Sequence, residues 1–240
     1  MTGDFFFHYT SFKGFKGILC GHEHNDLCFH LSHSQDMNDN KEIALGNRIV
    51  ENICSRFPNL PLIPQRATSI DNCFILSLSE KINFSQMEHK YGPIALKMEQ
   101  QEKSLLSKDN FMNCNYVTKQ DLLDIERRYV ELIQTCLNSV FLLSIYSLVL
   151  ICLPFYLKSK EEWSGENEWR VVENAQEQKG EVISLKTNSE GKKIRYIERT
   201  MNHNTLKGVF ISKSVSIEQE KEINEILSSL SYSFKAKRVE

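Results

Sequence analysis

Apolar residues cluster in short runs along most of this chain, and two periodicities sort them. The run Phe5-Phe6-Phe7-His8-Tyr9 is short and dense, which predicts a strand, and a helix is expected around Phe12 to Leu19. In Leu27-Cys28-Phe29-His30-Leu31-Ser32 the apolar positions alternate with smaller polar ones, the pattern of a half-buried strand. Asn38-Asp39-Asn40 reads as a turn, from which Asp39 or Asn40 can cap a helix over Lys41 to Phe57. Pro58 to Pro64 carries three of the five prolines and predicts a loop.

Strands are expected at 72–79, 93–98 and 111–117, ahead of a helical region from Asp121 to Phe155. Three more follow at Trp169 to Val172, Glu181 to Leu185 and Ile194 to Ile197, then one at Leu206 to Ile211. An amphipathic helix over Ile217 to Leu230 closes the pattern. Runs of strands interrupted by helices predict an α+β class, in one domain over 1–240 with a helical insertion at about 119–157. Within that insertion, the 26 residues from Leu132 to Leu157 hold no formal charge. That is long enough to cross a bilayer, for which about 20 apolar residues suffice. Gln134, Thr135, Asn138, Ser139, Ser144, Ser147 and Pro154 interrupt it, so the expectation is a helix buried within the protein and no membrane partner.

Composition narrows the class without naming a function. The 240 residues are 41% hydrophobic and 25% charged, and a net charge of -2 argues against binding nucleic acid by bulk charge. Seven cysteines, an odd number without a secretory signal ahead of them, predict reduced thiols, a cytoplasmic protein and no structural metal.

Three constellations could carry chemistry. The first is Cys20-x-His22-x-His24-x-x-x-Cys28-x-His30-x-x-His33, rich in zinc-type ligands, although its spacing fits no zinc-finger pattern. Cys28 and His30 share a strand face, while His22 and His24 fall in a loop beside Gly21 and Asn25. A solvated polar loop is the plainer reading. The second is His8-Tyr9-Thr10 at the end of the first strand, where His8 and Tyr9 must point to opposite faces. The third is Glu166-Asn167-Glu168-Trp169-Arg170. If extended, it puts Glu166, Glu168 and Arg170 on one face and Trp169 on the other. Two carboxylates so placed can divide orienting and proton-accepting roles. A solvated strand edge with a Glu-Arg pair has the same pattern.

The blocks His8-Tyr9-Thr10-Ser11, Ile18-Leu19 and Asn38-Asp39-x-x-Glu42 resemble the opening of the bacterial domain of unknown function 2971 family. Phe74-x-x-Ser77-x-Ser79-Glu80 with Tyr91-Gly92 resembles its middle block. Lys158-x-x-x-x-Trp163-x-x-Glu166-x-Glu168-Trp169-Arg170 resembles its third, and Gly208 fits the closing strand. The order of these blocks also resembles, more distantly, the ADP-ribosyltransferase superfamily, which implies a split β-sheet core with inserted helices and NAD as substrate.

By that resemblance His8, with Tyr9 and Thr10, would hold the nicotinamide-side ribose, and Ser77 or Ser79 would support the nicotinamide end. Tyr91 would stack on the ring, Glu168 would hold the ribose 2′-hydroxyl, Glu166 would orient or deprotonate the acceptor, and Arg170 would meet the pyrophosphate. A carboxylate near C1′ stabilises the oxocarbenium-like charge of the transition state, worth about 2.7–4 kcal/mol for one aimed group. The implied function is an NAD-consuming ADP-ribosyltransferase or glycohydrolase acting on a protein, a nucleic acid or water, in a toxin or phage-defence setting. Two alternatives are a non-catalytic nucleotide- or protein-binding module on the same fold, and a metal-dependent enzyme built on the Cys20–His33 cluster. Since no Walker loop, dinucleotide glycine fingerprint or Gly-x-Ser-x-Gly elbow occurs, kinases, dehydrogenases and α/β-hydrolases recede.

Overall fold

Strand-forming runs in the first half and last third of the chain come together in one twisted sheet, while the helical middle covers part of one face. The computed structural model describes residues 5–20, 26–37, 40–58, 72–100, 105–106, 111–163, 165–175, 182–187 and 191–239. In chain order these form β1 (Phe5–Thr10), α1 (Phe12–Cys20), β2 (Leu27–His33), α2 (Asn40–Arg56), β3 (Cys73–Ser79), α3 (Phe84–Tyr91) and β4 (Ile94–Glu99). Next are β5 (Phe111–Asn113), β6 (Asn115–Val117), α4 (Lys119–Cys136), α5 (Val140–Tyr156), β7 (Leu157–Ser159) and α6 (Lys160–Trp163). The chain ends with β8 (Glu168–Asn174), β9 (Ser184–Thr187), β10 (Lys193–Met201), β11 (Leu206–Ile211), α7 (Ile217–Ser229) and β12 (Lys237–Arg238). The class is α+β.

The main sheet runs β12-β11-β4-β1-β3-β2-β10-β9, with β8 and β5 attached through β3. Its decisive feature lies at β3. One edge of β3 pairs with β8 along its whole length, from Cys73↔Asn174 to Ser79↔Glu168. The opposite edge is shared: β1 meets it at Phe7↔Ser79, and β2 meets it at Ser32↔Ile75 and His33↔Phe74. Between these contacts, along Leu76 to Leu78, β1 and β2 diverge and the sheet opens.

Alternation then gives each strand two different faces. Phe6, Phe29, Leu31, Phe74, Leu76, Leu78 and Val171 point to one side, where Phe15, Ile18 and Leu19 of α1 and Ile223 and Leu227 of α7 complete the main core. On the other side, Cys73 and Ile75 pack beneath Ile43 of α2 and Phe155 of α5. A third cluster fills the space among α2, α4 and α5 with Ile49, Ile53, Ile133, Leu150 and Leu153. Gly46 makes that helix crossing possible, because a Cβ there would lie 2.4 Å from the Pro154 Cα. A capping box of Thr118 and Asp121 starts α4, and one of Ser216 and Gln219 starts α7.

Several expectations need correction. The strand expected over 111–117 is two short strands: β5 joins β8, whereas β6 runs parallel to β7 in a separate pair. The strand expected at Glu181 to Leu185 begins at Ser184 and continues to Thr187. Asn40 is the first residue of α2 and no outside cap, while Asp39 and most of the Pro58–Pro64 loop lie outside the described residues. The uncharged stretch 132–157 is not buried throughout. Leu143, Leu150 and Leu153 face inward, but Phe141 is 73% exposed, and Leu132, Leu137, Leu142, Ile145 and Val149 are also exposed. The absence of charge marked a helix pair against the core, not a helix enclosed by it. No helix among the described residues is long and apolar enough to cross a membrane.

Candidate functional site

The opening in the sheet becomes a cleft of about 670 Å³, within the range usual for small-molecule sites. Ile75, Leu76, Ser77 and Leu78 of β3 line it, together with Glu168 and Arg170 of β8. β1 and the residue after it contribute Phe7, His8, Tyr9, Thr10 and Ser11 to one wall. The far wall comes from β2, β9 and β10 through His30, Ser32, Lys186 and Ile194, and His89, Lys90, Tyr91 and Trp163 reach in from α3 and α6. Residues far apart in sequence therefore meet because β1 and β2 separate along β3.

His8 sits at that point. Its Nδ1 is 3.2 Å from the Ser77 carbonyl, and its ring meets Phe29 edge-on at 5.3 Å. Burial lowers its pKa to about 4; the Ser77 bond resists this and the Lys186 ammonium adds to it. A neutral ring that donates from Nδ1 to Ser77 keeps Nε2 as an acceptor.

The opposite end of the cleft is highly charged and dry. Lys158, Glu166, Glu168 and Arg170 are all buried, Lys158 completely. The Lys158 Nζ donates to Glu166 Oε2 at 2.6 Å and to Glu168 Oε2. Arg170 Nε donates to Glu168 Oε1 at 2.9 Å, and another guanidinium nitrogen to the Phe155 carbonyl at 3.0 Å. Lys90 reaches Glu166 Oε1 at 3.0 Å while lying 3.4 Å above the Trp163 ring centroid. Burial alone would raise the Glu168 pKa, but Arg170 and Lys158 override it and hold the carboxyl down at about 2. It is ionised at any working pH.

Local backbone explains how this cluster assembles. β7 carries Lys158 and is anchored parallel to β6. Tyr116 of β6 accepts a hydrogen bond from the Glu168 amide at 2.8 Å, and the Cys114 amide donates to the Glu168 carbonyl at 3.0 Å. Asn167 has φ 45°, in the left-handed region, so the chain turns sharply between Glu166 and Glu168.

Glu166 consequently precedes β8 and does not share a strand face with Glu168, as an extended reading expected. The shared Lys158 ammonium brings the two together, in place of strand alternation. Nor are they a solvated strand edge. Trp169 does point the other way, into the core against Phe6 at 5.4 Å.

The remaining expected residues divide. His8, Tyr9, Thr10, Ser77, Tyr91, Glu166, Glu168 and Arg170 all line the cleft. Ser79 is not among the residues lining it: its buried hydroxyl lies 2.7 Å from the Glu166 carbonyl and 2.8 Å from that of Lys81, and so fastens one loop. Alternation placed Tyr9 on the strand face opposite His8. It packs with Met87 and Ala95 yet also lines the cleft, with its hydroxyl accepting from the Asn83 amide at 2.6 Å. Arg170, expected at a pyrophosphate, is 1% exposed and bound to Glu168 and Phe155, which makes it a clamp. Gly92, after Tyr91, has φ 113° and a Cβ position 2.5 Å from the Thr10 carbonyl, so only glycine lets α3 turn back so tightly against β1.

Lys90, Lys158, Trp163, Lys186 and His30 complete the cleft without having been assigned a role in it from sequence. Lys158 and Trp163 stood in the third block, and the signal was a lysine eight residues before a Glu-x-Glu-x-Arg element. Lys186 carried no such signal, and His30 had been marked only as a member of the Cys20–His33 metal-type cluster. The Cys20–His33 cluster disperses: Cys20 is exposed on α1, and His33 packs edge-on against Phe74 in the core, while His22 and His24 lie outside the described residues. Comparison of the chain with family models, curated proteins and solved structures yields no match.

Proposed function

We propose that the cleft binds an NAD-class dinucleotide and that the protein cleaves its nicotinamide–ribose bond, delivering ADP-ribose to a macromolecular acceptor or to water. The observation that carries this reading is the meeting of His8, Ser77, Tyr91 and Glu168, drawn from three separate sequence blocks, on one cleft at the opening of a split sheet. The neutral His8 ring supplies an acceptor for a ribose hydroxyl, and Tyr91 supplies an aromatic face. Three cations, Lys90, Lys158 and Arg170, stand against two carboxylates in the charged cluster, and Lys186 lies across the cleft. That excess of positive charge suits a pyrophosphate. In the reaction the C1′–N bond breaks, nicotinamide departs with the electron pair, and the acceptor's nucleophile closes on C1′ as it releases its proton to water. Glu168, ionised throughout, faces the developing positive charge.

One observation favours a second reading, a binding module without turnover. Both oxygens of Glu168 are already engaged by Arg170 and Lys158, which weakens the field it can direct at a cation. Purified protein mixed with NAD separates the two readings. Calorimetric binding together with release of free nicotinamide is the expected result, and Tyr91→Ala should weaken both. Binding without release selects the module. No binding overturns the proposal.

A further inference from the structure

Away from the charged cluster, β2 and β10 lie side by side, with His30 opposite Glu198 and Cys28 opposite Thr200. Cys28 and His30, two positions apart, share a face, and cross-strand pairing adds Glu198 to it. The result is a thiol, an imidazole nitrogen and a carboxylate oxygen all within 4.8 Å of one another. His30 Nε2 and Glu198 Oε1 are 3.4 Å apart. In a tetrahedral site with metal–ligand bonds of about 2.0–2.3 Å, ligand atoms sit roughly 3.3–3.8 Å from each other. The nitrogen–oxygen separation already meets that spacing, and the sulfur needs to move by only about 1 Å, a rotamer-scale adjustment.

We infer that Cys28, His30 and Glu198 form a three-ligand site for a zinc-class divalent cation. The donor set selects this class: one thiolate and one imidazole exclude magnesium and calcium, which take oxygen. Tyr196 lies against the imidazole, ring centroids 4.1 Å apart, and fixes its plane. Cys28 is buried at the base, while His30 and Glu198 are partly exposed, so the fourth position opens outward for water or a ligand atom. A Cys28 thiolate and the Glu198 carboxylate bring two negative charges, against which the nearby Lys186 brings one positive. His30 also lines the cleft, so a bound ion would stand at its far wall. The inference does not depend on NAD or on any activity.

Cobalt(II) titrated into chelator-treated protein tests it. One equivalent should bind and give the near-ultraviolet thiolate-to-cobalt charge-transfer band, and zinc should displace it. Cys28→Ser should abolish the band. Glu198→Gln, at a partly exposed position that leaves the fold intact, should weaken binding by at least about tenfold, the smallest loss typical even of an outer-shell partner. Cys20→Ser, on the exposed end of α1, should change neither. Absence of stoichiometric binding, or a band that survives Cys28→Ser or requires Cys20, overturns the site. An unchanged affinity in Glu198→Gln does the same.

Discussion

The two faces of β3 and β8 show how differently one pair of strands can be held. On one face Phe74, Leu76, Leu78 and Val171 pack against other apolar side chains, and burial itself is the stabilising term. On the other, Ser79, Glu168 and Arg170 bring polar and charged groups into an equally dry environment. There burial is the cost, and every ion needs a partner to offset it. An apolar face tolerates conservative exchange, whereas the charged face is intolerant of losing any single member.

The sharpest way to break the comparison is to truncate one residue on each face. Glu168→Ala removes the carboxylate that Lys158 and Arg170 share and should lower unfolding free energy by about 3–5 kcal/mol. Phe74→Ala should cost a similar amount, about 3–5 kcal/mol, through the cavity it leaves. Urea unfolding of a third variant separates the causes: Lys158→Met, Glu166→Gln, Glu168→Leu and Arg170→Met combined should recover wild-type stability or exceed it. Failure to recover would mean the network stabilises in its own right. The same ion pairing means that Glu168→Gln cannot be read as a purely catalytic change, since it removes the charge on which two cations depend.

Acid should distinguish the faces as well. The folded pKa of Glu168, about 2, lies below its ordinary 4.5, so its contribution is complete above pH 4.5 and is lost as pH falls toward 2. Unfolding midpoints followed from pH 5 to 2 should fall less steeply in the combined variant than in wild type.

His8 offers a smaller, differently placed test. Its folded pKa of about 4 lies below the ordinary 6.5, so the unfolded chain takes up the proton first. Stability is therefore full above pH 6.5 and declines as pH falls to about 4. His8→Phe should flatten that window while costing about 1–3 kcal/mol for the Ser77 carbonyl deprived of its ring donor. A slope that persists unchanged would place the titration elsewhere.

Two smaller effects follow from the helices. Gly46→Ala should lose about 1–3 kcal/mol, because its methyl meets the α5 backbone at Pro154. Phe141→Ser, on the exposed side of α5, should change stability by no more than about 0.5 kcal/mol. Thermal melts of both variants check this ordering, and its reversal would mean that Phe141 is covered in solution.

Much of this architecture was legible from local pattern. The alternation at Leu27 to Ser32 and the dense runs at 72–79 and 206–211 marked strands, because a pleated strand presents a new face at every residue. The long uncharged stretch marked a helix but not its environment, since a lack of charge says that water is dispensable and not that it is absent. The Glu166-to-Arg170 element was recognisable as a dense group of charges. Its geometry was not, because a single left-handed residue, Asn167, breaks the alternation from which an extended reading proceeds.

The sequence by itself determined the α+β class, the identity of most strands and the residue types available for a site, all set by periodicity and local sterics. Only the tertiary structure decided where the sheet opens. That opening depends on β3 giving one edge to two strands, a long-range pairing that no local pattern encodes. It also decided that Lys158 and Arg170 enclose Glu168, and that Glu198 joins Cys28 and His30. Partners so distant along the chain meet through strand register, and register is settled by the packing of the whole sheet.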